Sequence, residues 1–353
     1  MRLFSFKSLI YFTFLLSLCV IALGAYTRLT EAGLGCPDWP GCYGFISVPQ
    51  STEQQLVAQQ IFPSKPLEVE KAWNEMVHRY FAGSLGILIL LINALAWRRK
   101  YAPKLLPALL LVTVIFQALL GMWTVTLALM PIVVMGHLLG GFTTASLLLL
   151  LVLRVRQQER KSTAIFSSML HSPRSSSSYL KVFALGALFV VVVQIALGGW
   201  TASNYAAVAC TQLPVCEGDW QGNFDPTAFE PIQPVHDSYQ YGVLNYHQRV
   251  SIHVAHRIGA MVTTAILILL IGFLLRTAGL RKYGFILTAA LIVQVSLGIT
   301  NIVASLPLLV AVGHNVMGVV LLLSIVATNY RIYCGQQILQ GSHLFAREGR
   351  NHG

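Results

Sequence analysis

The sequence predicts an all-α membrane protein, with eight transmembrane helices forming two tandem four-helix bundles related by a pseudo-two-fold repeat. Three observations lead there. Hydrophobic residues make up 55% of the 353 residues and charged residues only 10%, with a mean hydropathy of +0.66, a balance suited to a bilayer. The stretches from Leu105 to Leu153 and from Tyr283 to Tyr330 contain no Asp, Glu, Lys or Arg, and each is long enough for two spans of about 20 residues. Two histidine signatures each occur twice, at nearly the same separation in both halves.

The predicted spans are 8–26, 77–97, 105–127, 132–153, 180–202, 251–275, 283–304 and 308–332, with Pro131 and Pro307 near two of the turns. The first span has no convincing small-residue cleavage site and belongs to the repeat, so it is read as a helix of the fold and not as a signal peptide. The predicted divisions are a bundle over 1–153, a flexible linker over 154–179 with serines at 175–178, a bundle over 180–334 and a tail over 335–353. Each unit has four spans, so the copies share one orientation about an axis near the membrane normal.

Lysines and arginines decide the topology. Arg98, Arg99, Lys100, Lys104, Arg154, Arg156, Arg276 and Lys282 fall on one side. The opposite loops hold acids such as Glu31, Asp38, Glu68, Glu217 and Asp225. The positive-inside rule places both termini in the cytoplasm. The net charge of +11 is therefore a topology signal. It does not point to nucleic acid, because the basic residues form no continuous face.

The first outer loop is dense in Gly, Pro and Trp, which implies a compact loop packed on the membrane face, with a short helix expected at 53–60. It carries Cys36 and Cys42, and the third outer loop carries Cys210 and Cys216 at the same spacing. Both loops face an oxidising compartment where disulfides persist. Each pair reads as a loop staple or as a redox-active dithiol.

The chemistry rests on histidines. Glu75-Met-Val-His78-Arg79 returns as His253-Val-Ala-His256-Arg257, and Gly136-His137 returns as Gly313-His314. A lone histidine in a span is commonly a packing residue. Four of them, paired by repeat about six residues inside the outer boundary and so roughly 9 Å deep, point to function. The fourth residue after each is small (Ala82, Gly141, Ala260, Gly318), leaving room on the same face for a flat ring. A haem brings four nitrogens and asks only for axial ligands, so bis-histidine haem in each bundle is the favoured reading. Arg79, Arg257 or Arg28 would pair with propionates or snorkel to headgroups. The halves differ three residues before the repeated histidine, where the first copy has Glu75 and the second has His253. That carboxylate would handle a proton or stabilise developing charge, or else sit as a helix-start residue near the positive end of its helix.

Further motifs carry a resemblance. Thr27-Arg28-Leu-Thr-x-x-Gly-Leu-Gly-Cys36-Pro-Asp-Trp-Pro-x-Cys42, taken with the four placed histidines, resembles the haem A synthase family, in the bacterial form that carries cysteine pairs. The resemblance covers nearly the whole chain, although the polar insert at 217–246 matches no motif. It implies an oxidoreductase of the bacterial cytoplasmic membrane that oxidises the C8 methyl of haem O to a formyl group, through an alcohol and a hydrated aldehyde. It implies haem b held by His256 and His314 in the second half, and substrate haem held by His78 and His137 in the first. Glu75 would assist the chemistry, with Cys36 and Cys42 taking a redox part and Cys210 and Cys216 a structural one. Haem O synthase is the implied partner, membrane lipid surrounds the chain, and neither the electron donor or acceptor nor self-association is specified. A non-enzymatic dihaem cytochrome passing electrons from quinol explains the histidines equally well, but not Glu75 or the first loop. A repeat-built transporter would place its polar groups near the midplane, not at the outer side.

Overall fold

The computed structural model describes residues 5–100, 102–164 and 178–348. The helices are α1 (Phe6–Leu29), α2 (Thr52–Ile61), α3 (Val69–Arg98), α4 (Leu105–Thr126), α5 (Pro131–Ala164), α6 (Ser178–Ser203), α7 (Tyr246–Arg276), α8 (Arg281–Val303) and α9 (Leu308–Glu348), with a 3-10 turn at Pro226–Phe229. No strand occurs among the described residues. All of these helices except α2 are long and apolar enough to cross a membrane, so the chain is a multi-pass membrane protein. The short outer helix expected at 53–60 is α2, started by a capping box between Ser51 and Gln54. Several helices outrun their predicted spans: α3 starts at Val69, well before the expected 77, α5 continues into the expected linker and α9 into the expected tail. Residues 165–177, which include most of the serine run, lie outside the described residues.

Packing follows two closed circuits. Helix α1 packs on α3 and α5, and α4 packs on the same two. Helix α6 packs on α7 and α9, and α8 likewise. Contacts α5–α6, α1–α9 and α5–α9 join the circuits. At the end of the first circuit away from the disulfide loops, Ile10, Ile89, Ile92, Leu110, Leu148 and Leu151 are fully buried and interdigitate. Ile87, Leu90, Phe189, Leu269 and Phe285 point outward and are more than half exposed, which suits lipid and no aqueous surface.

Lipid tails are as apolar as leucine, so helix association depends on close packing and interhelical hydrogen bonds. Small residues permit the approach: a Cβ on Gly199 of α6 would lie 3.3 Å from Met135 Cγ of α5. Hydroxyls inside the helices bond back to their own turns, as Thr13 does to Leu9 O at 2.8 Å. The turns recur too. Ala128 and Leu129 precede α5, and Ser305 and Leu306 precede α9, all in the left-handed region. Leu129 N–H then bonds Thr124 O, and Leu306 N–H bonds Asn301 O.

The 217–246 insert crosses the molecule. Trp200 Nε1 donates to Ala228 O at 2.9 Å, Tyr239 N–H donates to Ala128 O at 2.9 Å, and Gln240 Nε2 donates to Glu31 O at 3.0 Å. It therefore binds loops of the first circuit to the second.

Asn329 of α9 is buried and donates to Ala184 O of α6 at 3.0 Å. Asn329→Leu removes that interhelical bond. It should cost about 0.6 kcal/mol and at most about 1.7 kcal/mol, measured as a lower unfolding midpoint in detergent with unchanged helix content.

Candidate functional site

Helix α3 begins at Val69, so Glu75 and His78 fall in its second and third turns, one above the other on one face. Glu75 is only 5% exposed although it is a carboxylate, and its partners explain how. Oε2 accepts the Cys36 N–H at 2.8 Å, and Oε1 pairs with the Arg79 guanidinium one turn on. Arg79 Nη1 in turn donates to Asp38 O at 2.9 Å and Gly41 O at 2.5 Å. The first outer loop is thus fastened onto α3 from both sides.

The loop's sequence makes this contact possible. A side chain at Gly35 would come within 2.6 Å of the Lys71 backbone, so only glycine lets the chain descend that far. Asp38 closes the loop by accepting the Tyr43 and Gly44 N–H groups at 2.6 and 2.8 Å. Cys36 and Cys42 are bonded to each other and buried with Tyr43, Ala72 and Met76.

The second half repeats the fastening with different parts. Cys210 and Cys216 form a disulfide. Arg257 donates to Gln212 O at 2.5 Å, to Cys210 O at 2.7 Å and to Val215 O. Glu217 accepts the Thr211 and Gln212 N–H groups. Partial burial pushes its carboxyl up, but hydrogen bonds from Gln212, its own backbone and Thr211 outweigh that and draw it down to about 2. His253 occupies the position of Glu75, is 4% exposed, and its Nδ1 has no partner. Arg28 reaches the Tyr205 hydroxyl and lies 4.1 Å over that ring. All three arginines are therefore engaged with protein groups, a use that sequence reasoning did not anticipate.

Within the first circuit two histidines come together. His78 on α3 and His137 on α5 occupy helices that do not pack directly on each other, yet their ring centroids are 6.5 Å apart and nearly perpendicular at 86°. His256 and His314 occupy the corresponding helices, α7 and α9. Each ring lies against a glycine on an adjacent helix. A Cβ would meet His78 at 2.9 Å from Gly24, His137 at 3.3 Å from Gly121, His256 at 3.1 Å from Gly198 and His314 at 3.1 Å from Gly298. Nδ1 of His78, His137 and His314 is buried without a partner. A metal–imidazole bond is about 2 Å, so two rings sharing one ion have centroids about 6 Å apart, close to the separation of His78 and His137. The pair can hold the iron of a planar macrocycle.

One turn before three of these glycines stands a glutamine: Gln117, Gln194 and Gln294. Their recurrence is plain in the sequence, but their contacts are not. Gln194 Nε2 lies 3.0 Å from His256 Nδ1 and donates to His256 O at 2.9 Å. Gln294 Nε2 lies 3.3 Å from His314 Nε2.

Residues 7–326 match the family described as cytochrome oxidase assembly protein. The chain belongs to that family. Among its relatives, the Heme A synthase of Shewanella oneidensis is 50% identical over 326 residues, covering 92% of this chain and 96% of the relative. The Heme A synthase of Granulibacter bethesdensis is 25% identical over 345 residues, covering 90% and 85% respectively. Glu75, both cysteine pairs and the four histidines all lie inside the segment matched to the family of cytochrome oxidase assembly proteins.

Lysine carries no fork to span several carbonyls. Arg257→Lys should therefore cost about 1.5–3 kcal/mol, the worth of hydrogen bonds to a charged group. The checks are thermal unfolding in detergent and faster hydrogen exchange across 210–216.

Proposed function

We propose that this protein is a haem A synthase, a membrane oxidoreductase that converts the C8 methyl of haem O into a formyl group. Near-full-length identity to a relative of that name supports the assignment, and gives no support to a simple dihaem cytochrome. The observation that carries the chemistry is the facing His78–His137 pair with a buried, doubly held carboxylate one turn away on the same helix.

In this reading residues 1–153 form the substrate half and 180–334 the cofactor half, with 154–179 as linker and 335–353 as tail. His78 and His137 bind haem O, and His256 and His314 bind a resident haem b. Haem b supplies electron-transfer chemistry when bound. The protein's own groups do the rest. Two opposed imidazoles fix the substrate ring between α3 and α5. Glu75, held in place by Arg79 and the Cys36 N–H, accepts a proton released as the methyl carbon is oxidised. The disulfide loop above it shields that carboxylate from bulk water. Cys36 and Cys42 hold the loop's shape and are the candidates for a redox part; Cys210 and Cys216 hold the second loop. Arg79 and Arg257 act through these loops. Both termini lie in the cytoplasm of a bacterium, the haem sites lie near the outer face, and haem O synthase hands over the substrate through the surrounding lipid.

Glu75→Gln keeps the shape and the acceptor for Cys36 N–H while removing the charge. It should leave haem b content unchanged and lower haem A formation by about 100-fold or more, the usual worth of a positioned proton acceptor. Pigment extraction and chromatography, with haem O synthase co-expressed, reads both. Undiminished haem A would remove Glu75 from the mechanism. His256→Met and His314→Met should each alter or abolish the reduced haem b spectrum, and an unchanged spectrum in both would place the ligands elsewhere.

A further inference from the structure

The arginines that the sequence offers to haem propionates are used elsewhere. Arg28 donates to Ala202 O at 3.1 Å and lies over the Tyr205 ring. Arg79 donates to Asp38 O and Gly41 O, and Arg257 to Gln212 O and Cys210 O. Arg249 has no such tie. It lies in the first turn of α7, which starts at Tyr246, seven residues before His256. Arg249, His253 and His256 are spaced i, i+4 and i+7, so they form one stripe along the helix. Lys71, Glu75 and His78 repeat that spacing on α3.

The stripe on α7 carries two buried nitrogens without a partner, Arg249 Nε and His253 Nδ1. Arg257 Nε shares that state, but its Nη atoms reach loop carbonyls. No hydrogen bond or ion pair among the described residues engages the guanidinium of Arg249. The His253 ring meets the Ala206 backbone, which serves only one of its two nitrogens. Glu217, an acid whose field reaches His253, is turned onto the Thr211 and Gln212 N–H groups. A half-buried guanidinium therefore stands above an imidazole ligand without an anionic partner among the described residues. On α3 the corresponding cation, Lys71, is paired with Glu68 at 2.9 Å, and a carboxylate, Glu75, takes the place of His253.

A haem carries two propionates, and an unpaired carboxylate in hydrocarbon is costly. A ring gripped near the outer boundary therefore turns that edge outward. Arg249 sits about 10 Å outward of His256 along the helix axis, within the combined reach of a propionate arm and an arginine side chain. Its guanidinium presents a fork that matches a carboxylate. We propose that Arg249 binds a propionate of the haem held by His256 and His314, and so orients and anchors that haem in the second half. The proposal rests on the haem-binding reading above and deepens it. The imidazoles fix the centre of the ring, and Arg249 fixes which edge faces out.

The test uses the full chain purified in detergent with its haem, from cells fed a precursor that places carbon-13 in the propionate carboxyl groups. Redox-difference infrared spectra then report the labelled carboxylate bands. Arg249→Leu should shift those bands while leaving the visible spectrum of the reduced haem unchanged, because the axial ligands are intact. It should also speed haem transfer to excess apomyoglobin about 10-fold or more, the worth of a lost hydrogen bond to a charged group. Arg249→Lys should restore part of the slow transfer. Lys71→Leu, at the corresponding place in the first half, should leave the bands that respond to Arg249 where they are. Labelled bands identical in wild type and Arg249→Leu would mean a guanidinium that only snorkels to the headgroups; that result overturns the proposal, whatever the transfer rate, while the haem sites stand. If His256→Met and His314→Met leave the haem spectrum as it was, the underlying reading fails instead.

Discussion

The imidazole geometry of the candidate site depends on four glycines that let the rings lie directly on neighbouring helices. His78 rests against Gly24 and His137 against Gly121, so two helices that do not touch can present rings 6.5 Å apart. A methyl group at either seat would push an imidazole into the gap between them. The same constraint operates at Gly198 and Gly298. In lipid, where apolar surface gives helices little reason to associate with one another, such close steric fits decide which faces turn inward. The ligand geometry and the bundle packing are therefore one problem with one solution.

The outer loops answer a second problem, which is how to keep a carboxylate and two guanidinium groups near the membrane without leaving them unpaired. Burying a charge is tolerable only with a partner and further hydrogen bonds. Glu75 has Arg79 and the Cys36 N–H; Arg257 has three carbonyls of the Cys210–Cys216 loop. The loops are thus polar caps whose own backbone completes the solvation of helix side chains. Because Glu75 answers to an amide of a disulfide-bonded cysteine, the loop's covalent state and the carboxylate's position are mechanically joined.

Much of this was legible in the sequence. Charge-free runs gave the helices, proline and glycine gave the turns, and repeated His78, His137, His256 and His314 marked the candidate site. Less legible were features that depend on which side chain meets which across helices. Arg79 and Arg257 read as partners for propionates or headgroups, yet both address loop carbonyls, because the disulfide loops fold down onto α3 and α7. Gln117, Gln194 and Gln294 were visible as a recurrence, but a recurrence does not say that two amides face rings and one does not. The insert at 217–246 matched no motif because part of its work is done by backbone groups such as Ala228 O and Tyr239 N–H, which leave little trace in residue identity. Helices α5 and α9 outran their spans because a helix does not end where the bilayer does; it ends where capping and backbone competition end it.

The insert's path has a mechanical consequence. Tyr239 grips the turn before α5, Gln240 grips the end of α1, and Arg28 crosses to Tyr205. These are three ties between the two circuits, all along one rim of the molecule. The opposite rim is tied as well, where the Tyr330 hydroxyl of α9 donates to Gln157 Oε1 of α5, and contacts α5–α6, α1–α9 and α5–α9 join the circuits in between. The two circuits are therefore pinned at both rims and move as one block.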